Sequence, residues 1–309
     1  MTEFKAGKLL QYRPQTRAMG EEKWLDVDRI PTRYFDAGDR EPVVFIHGVQ
    51  MGATDGSSSA RAWELNFPVL AEKYNCISLD RLGQGYTGNP KNDADYTMHA
   101  SVQHVIGFLD ALGKGPYNLV GHSRGGYIVT RVTMERPDLV KTCTCVASGT
   151  LSPGWTRTHV ATRSRPRPET TRESIRWYLE RYSYNPAIVT EDWLDDSLRI
   201  GQSEKNQFAM ARMYEGGLLR TQFAPQLLVQ RNETLRWLIE KGMPCPTLVI
   251  WGHNDPGAHL DAGLQLIELF MKHQPKTEWR MFNRSGHFVY REHPAGFNRT
   301  LDGFLESHL

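Results

Sequence analysis

The strongest constraint on this chain is a turn of five residues. Gly121-His122-Ser123-Arg124-Gly125 follows a short apolar run, Tyr117 to Val120, and precedes Ile128, Val129 and Val132 at helical spacing. A serine set between a strand and a helix, with glycines two before and two after it, describes a bend too sharp for side chains at those flanking positions. Gly126 gives further room for the helix to cross the strand. Ser123 is then lifted clear of the sheet, with a helix N-terminus behind it that favours a developing anion. The pattern alone arises by chance, and the competing reading is an ordinary turn serine. The strand-to-helix context is what gives it weight.

Around this turn the chain alternates. Pro42 to Ile46, Cys76 to Leu79, Asn118 to Val120, Leu139 to Ala147, Pro246 to Gly252 and Thr277 to Phe282 read as strands. Most are near-continuous apolar runs, as expected of strands buried on both faces of a parallel sheet. Lys23 to Tyr34 reads as a hairpin leading in, and Val49 to Arg61, rich in Gly and Ser, as a loop. Helical spacing covers Trp63 to Tyr74, Thr97 to Leu112, Gly125 to Glu135, His259 to His273 and Pro294 to Glu306. The order predicts an α/β fold with a mostly parallel, doubly wound sheet.

The alternation breaks between Pro153 and Gly242, where no convincing buried strand occurs. Thr170-Thr171-Arg172-Glu173 has the pattern of a capping box. Thr190, followed by Glu191 and Asp192, marks a second helix start. Phe208 to Leu219 and Glu233 to Ile239 read as further helices. The expected organisation is a core of residues 1–152 and 243–309, with a helical lid, 153–242, inserted after the sixth strand. Such a lid would lie over the carboxyl edge of the sheet, where ligands bind in open α/β folds. Arg157, Arg163, Arg165 and Arg167, separated by prolines, form a basic loop. Without interleaved stacking aromatics it reads as solvated, not as a nucleic-acid surface.

At 309 residues the chain can hold one large core with an insertion. Its net charge of +2 gives no reason to expect a nucleic-acid or membrane partner. Met1 to Arg17 lacks the apolar centre of a signal peptide, and no run is long enough to span a bilayer. Cys143 and Cys145 fall on one face of a strand, and Cys76 and Cys245 lie in or beside strands. Reduced, buried thiols and a cytoplasmic location are therefore expected. The sequence has no metal-ligand set, Walker glycine-lysine pattern or H-E-x-x-H, so no cofactor is expected.

A serine hydroxyl is a poor nucleophile at neutral pH. It needs a base within hydrogen-bond reach, and the base needs a partner that fixes its tautomer. Asp255 stands just beyond the strand ending at Gly252, and His287 follows another strand and Gly286. All three side chains can then meet at one sheet edge. The backbone amides of Val49 and Arg124 are the candidate donors to an oxyanion. Of the rival histidines, His122 points elsewhere by strand alternation, and His253, His259 and His293 read as structural or supporting. His47 is expected to hold the loop after its strand by hydrogen bonds.

In the chain order Ser123, Asp255, His287, these residues resemble the α/β-hydrolase family over nearly the whole chain. Two segments are similar to a narrower group, the meta-cleavage product hydrolases, which hydrolyse a carbon–carbon bond in the dienol keto-acids made when catechols are ring-opened. One runs from Thr171-Arg172-Glu173-Ser174-Ile175-Arg176 through Asn185-Pro186-Ala187-Ile188-Val189-Thr190-Glu191. The other is Gly286-His287 with Arg291-Glu292-His293-Pro294 and Phe297-Asn298-Arg299. The resemblance implies a serine hydrolase acting on a small anionic substrate to give a 2-hydroxydienoate and a carboxylic acid. The chain departs from that group in several places. His122 stands where members often have Asn, and Phe288 where they often have Trp. Their lid arginine falls at Ser197, with Arg199 two positions later, and their oxyanion loop is shorter than Val49 to Arg61. Arg199 is the first candidate for the substrate carboxylate, with Arg124, Arg176 and Arg220 behind it. Gly48, Asn66 and Phe288 are further candidate substrate contacts. Trp155, Trp177, Trp193, Tyr214 and Phe223 are candidates for an aryl pocket. A carboxylesterase with the same triad, and a ligand receptor built on a hydrolase fold, are the competing readings. Dehalogenase and epoxide hydrolase chemistry is disfavoured, because in this fold it usually starts from aspartate at the elbow. A homo-oligomer is left open.

Overall fold

The apolar runs become the middle of one sheet. A computed structural model describes residues 19–53, 58–153 and 169–308. Eight strands pair in it: β1 (Glu21–Val27), β2 (Ile30–Ala37), β3 (Pro42–Ile46), β4 (Asn75–Leu79), β5 (Tyr117–His122), β6 (Val140–Val146), β7 (Thr247–Gly252) and β8 (Thr277–Phe282). Their order is β1-β2-β4-β3-β5-β6-β7-β8. β2 runs antiparallel to both β1 and β4, and the pairs from β4 to β8 are parallel. The period of two is visible in β3. Val44 and Ile46 enter one apolar cluster, and Val43 and Phe45 the other. Cys143 and Cys145 share the first cluster, as their spacing requires. All four cysteines are free and buried, and burial pushes the Cys143 thiol up to about 12, far from a reactive thiolate.

The helices are α1 (Phe67–Leu70), α2 (Met98–Leu112), α3 (Arg124–Glu135), α4 (Arg172–Tyr182), α5 (Glu191–Gly201), α6 (Glu204–Met210), α7 (Ala224–Glu240), α8 (Leu260–Met271), α9 (Val289–Glu292) and α10 (Pro294–Glu306). Buried residues of α2, α3 and α8 cover one face of the sheet, and those of α1 and α10 the other. The chain winds from β3 outward to β4, then back across β3 to β5. That reversal leaves a crevice at the carboxyl ends of β3 and β5, the usual ligand position in such sheets. Helices α4 to α7 all fall between β6 and β7, so the helical insertion follows the sixth strand as expected.

Three local expectations need correction. Trp63 to Tyr74 is not one helix: a 3-10 turn, Ala60–Trp63, precedes the four-residue α1. Pro68 has no amide to donate, so it fits a fresh first turn and cannot continue an earlier helix. The capping box is displaced by one residue. Thr170 has φ +61°, and it is Thr171 that is extended and accepts from the Ser174 amide, while Ser174 Oγ accepts from the Thr171 amide. Finally, Glu233 to Ile239 is only the end of the 17-residue α7. Two π-helical turns, Ala211–Glu215 and Leu219–Phe223, lead into it. Leu228 and Val229 lie exposed on α7, so its sequence shows no single apolar stripe. Thr190 does cap α5, accepting from the Trp193 amide. Trp155, the basic loop from Arg157 to Arg167 and the first 18 residues lie outside the described residues, as does 54–57 of the loop after β3. Among the described residues no helix is long and apolar enough to cross a membrane.

Candidate active site

The turn from β5 to α3 has the geometry its glycines require. Ser123 is held at φ 55°, ψ −117°, a sparsely populated region that persists only when neighbours enforce it. They do so from both sides. The Ser123 amide donates to the Val146 carbonyl at 2.8 Å, and Ser148 Oγ donates to the Ser123 carbonyl at 2.7 Å. A Cβ on Gly121 would sit 2.2 Å from the Gly125 carbonyl oxygen, and one on Gly125 2.2 Å from that of Ile46. Arg124 is the first residue of α3, so its amide lies in the first turn, where backbone N–H groups point out of the helix N-terminus.

Asp255 and His287 meet. The buried carboxylate places Oδ2 2.7 Å from His287 Nδ1. Its other oxygen, Oδ1, accepts from the amides of Gly257 and Ala258, each at 2.8 Å. His287 is also fixed along its backbone. Its amide donates to the Tyr182 carbonyl at 2.8 Å, and its carbonyl accepts from His122 Nε2 at 2.9 Å. The expectation that His122 points away therefore fails. Strand alternation ends where the sharp turn begins, and the ring lies 4.6 Å from that of His287, centroid to centroid. Its Nε2 carries the proton, since a carbonyl can only accept.

The loop after β3 is held from behind. His47 Nδ1 donates to the Gly48 carbonyl at 3.1 Å, and its Nε2 accepts the Arg81 amide at 3.2 Å. His47 thus holds its loop as anticipated. The Arg81 guanidinium, which no sequence pattern singles out, donates to the carbonyl of Gly48 at 2.6 Å and to that of Val49. In a trans peptide the C=O and the next N–H point opposite ways, so the Val49 amide is turned away from Arg81. Val49 adopts φ +69°. Burial, then the Arg124 charge, brings Arg81 down to about 9.

Ser123, His287 and the loop after β3 border one cavity of about 890 Å³. Gly48, Val49, Ser123, Arg124, His287 and Phe288 all line it. Asn66 does not. It is fully buried, and its Nδ2 donates to the Tyr290 carbonyl and to Asn298 Oδ1 at 3.0 and 2.9 Å. Arg199 is also outside. On α5 the buried positions include Leu194, Ser197 and Ile200, and a residue two beyond Ser197 points about 200° around the helix. Arg199 accordingly faces solvent, 3.8 Å from Asp196. Arg176 is paired with Glu191 at 2.5 Å. Among the described residues, the arginines that line the cavity are Arg124, Arg220 and Arg231. Arg124 donates to Gln50 Oε1 at 2.8 Å and lies 5.3 Å over the Phe223 ring. Arg231 carries no signal in the sequence, because its half of α7 lacks an apolar stripe. Trp193, Tyr214 and Phe223 line the cavity, joined by Tyr178, Leu179 and Tyr182 of α4, whereas Trp177 is not among the lining residues.

Three buried imidazoles are held neutral. Burial takes His47 and His122 well below the ordinary range and His104 down to about 4. Below pH ~6.5 the unfolded chain protonates these rings and the folded chain does not, so stability falls as pH falls, by about 1.4 kcal/mol per pH unit for each ring. Denaturant unfolding of wild type and His104→Gln between pH 8 and 5 tests this. The variant should show the shallower dependence, by about one proton. Equal slopes would contradict the assignment.

Residues 41–294 match the model of the alpha/beta hydrolase fold family. The chain is 25% identical over 297 residues to the 2-hydroxy-6-oxo-6-(2'-aminophenyl)hexa-2,4-dienoic acid hydrolase of Metapseudomonas resinovorans, covering 92% of this chain and 90% of that protein. It is 29% identical over 279 residues to the (E)-2-((N-methylformamido)methylene)succinate hydrolase of Acinetobacter baylyi, covering 89% and 94%. Among solved structures, a meta-cleavage product hydrolase from Pseudomonas fluorescens IP01 superposes with TM-score 0.76 and 25% identity, over 92% of this chain and 97% of that one. With its sheet order, its strained Ser123 turn and a family match across most of its length, this chain belongs to the α/β-hydrolase fold family.

Proposed function

We propose that this chain is a serine hydrolase that cleaves a carbon–carbon bond in ring-opened dienol keto-acids of the 2-hydroxy-6-oxo-hexa-2,4-dienoate type. The products are a 2-hydroxydienoate and a carboxylic acid. The observation that carries the chemistry is that His287, paired through Nδ1 with the buried Asp255, borders the same cavity as the strained Ser123. The similarity to dienoic acid hydrolases supports the substrate class.

In this reading the dienol first becomes a ketone, with a proton added at carbon, so that the electrons of the breaking bond have an acceptor. His287 then takes the Ser123 proton as the oxygen attacks the remote ketone, and the amides of Val49 and Arg124 receive the oxyanion. The C–C bond breaks toward the keto-acid, which collects the proton from His287. An acyl-serine remains. Water, deprotonated by His287, releases the carboxylic acid and restores Ser123.

Residues 153–242 serve as the lid over a core formed by 1–152 and 243–309. The substrate is anionic, and its carboxylate meets the cavity arginines Arg220 and Arg231, with Arg124 nearest the nucleophile. The aromatic wall of Tyr178, Trp193 and Phe288 takes the tail. Four free, buried thiols suit a cytoplasmic enzyme.

Single-turnover absorbance on a panel of ring-opened products with small, alkyl and aryl tails tests the reading. The yellow dienol should decay and the acid appear. Persistence of the dienol alongside rapid cleavage of neutral aryl esters would favour an ordinary carboxylesterase. One observation keeps a second reading in view, a relative named for a succinate substrate that is not a ring-opened dienoate. Arg220→Gln and Arg231→Gln should each raise KM about tenfold for anionic substrates, the value of one charge-assisted hydrogen bond, and leave neutral esters unaffected. Equal effects on both substrate kinds would remove these arginines from carboxylate recognition.

A further inference from the structure

Within the proposed triad, it is the backbone of His287 that the insertion grips. The His287 amide donates to the carbonyl of Tyr182, the last residue of α4. One residue earlier, the Gly286 amide donates to Glu292 Oε2 at 2.5 Å. The other oxygen of that carboxylate, Oε1, accepts from the amide of Tyr184 at 2.5 Å and lies 3.4 Å from that of Asn185, both in the segment that leaves α4. A single carboxylate therefore gathers backbone donors from two pieces of chain about a hundred residues apart. The contact is close. A Cβ on Gly286 would come within 2.5 Å of the Tyr182 carbonyl oxygen and 2.7 Å of the Tyr184 nitrogen, so no other residue lets the two pieces of chain approach this way.

We infer that Glu292 is a positioning residue: its carboxylate staples the end of α4 to the loop carrying His287, so that the insertion and the general base move as one body. The inference rests on the triad reading above, because Glu292 bonds to the backbone around the base and not to the reacting side chains. It acts through the His287 peptide, which is pinned at its amide by Tyr182 and at its carbonyl by His122. Carboxylate-to-amide bonds are charge-assisted and therefore stronger than neutral ones. An amide side chain cannot replace both oxygens. Whichever way Gln lies at position 292, its NH2 group meets a backbone N–H, and one half of the staple is pushed open. Asp keeps both acceptors on a shorter stem.

The consequence concerns rate more than binding. A base displaced by a fraction of an ångström reduces the reactivity of the serine, and misplacement of about 1 Å can cost on the order of 100-fold. The experiment measures the rate at which a fluorophosphonate labels Ser123, which needs an activated serine but no knowledge of the natural substrate. Glu292→Gln should label about 10- to 100-fold more slowly than wild type, at a temperature well below its unfolding midpoint. Glu292→Asp should recover part of the loss. Turnover of any substrate found should fall in kcat with KM nearly unchanged. In a His287→Ala background, Glu292→Gln should cause no further decrease. The inference is overturned if Glu292→Gln labels at the wild-type rate, or if it slows the His287→Ala protein further, since it would then act by some route other than the base. If wild type labels no faster than His287→Ala, the triad reading fails, and this inference falls with it.

Discussion

Ser123→Ala is expected to lower kcat by about a million-fold while leaving the fold and its melting temperature intact. The size follows from what serine enzymes lose when a nucleophile that works as one unit with its base is removed. The fold should survive because alanine keeps the Cβ that the turn already accommodates at φ 55°. The glycines that make room, Gly121 and Gly125, are untouched. Single-turnover absorbance, with product acids quantified, is the measurement. A variant retaining more than about a hundredth of the wild-type rate would end the covalent mechanism. A variant without turnover that kept some separate ligand-dependent function would point to a receptor built on this fold.

Asp255→Asn should cost kcat about ten-thousand-fold, and the geometry says why. Oδ1 of Asp255 accepts two backbone amides, from Gly257 and Ala258. An asparagine must place its carbonyl oxygen there, because its NH2 group cannot accept. That leaves NH2 facing His287 Nδ1, where Oδ2 now sits. The ring answers by carrying its proton on Nε2, the nitrogen that should receive the serine proton. The base is then present, well placed and in the wrong tautomer. Raising the pH would not restore it. A kcat within tenfold of wild type would show that the Asp255–His287 contact is structural only.

Much of this site was legible because its parts sit at strand ends. Ser123, Asp255 and His287 each follow an apolar run in a chain whose alternation admits few topologies, and a parallel sheet brings such ends to one edge. The place of His47 in its loop, and of Val49 on the cavity wall, was readable for the same reason. Substrate contacts were harder to read because they depend on helix phase. Ser197 faces inward and Arg199 outward, and one or two residues of offset decide which side chain meets a ligand. Asn66, a candidate substrate contact, has its amide taken up by the Tyr290 carbonyl of α9 and Asn298 of α10. Arg231 and Arg81 were missed for different reasons. The first lies on a helix with no clear apolar face, and the second is a buried cation whose partners are main-chain carbonyls that leave no trace in side-chain pattern.

Arg81 has an effect that reaches past holding the loop still. A cation bonded to the Gly48 carbonyl draws electron density along that peptide and leaves the hydrogen on the Val49 nitrogen more positive. In the proposed mechanism, the guanidinium would thus stabilise negative charge on the substrate oxygen without approaching it, through one polarised amide plane. A neutral side chain of the same shape at position 81 could fill the space and still leave that donor weaker.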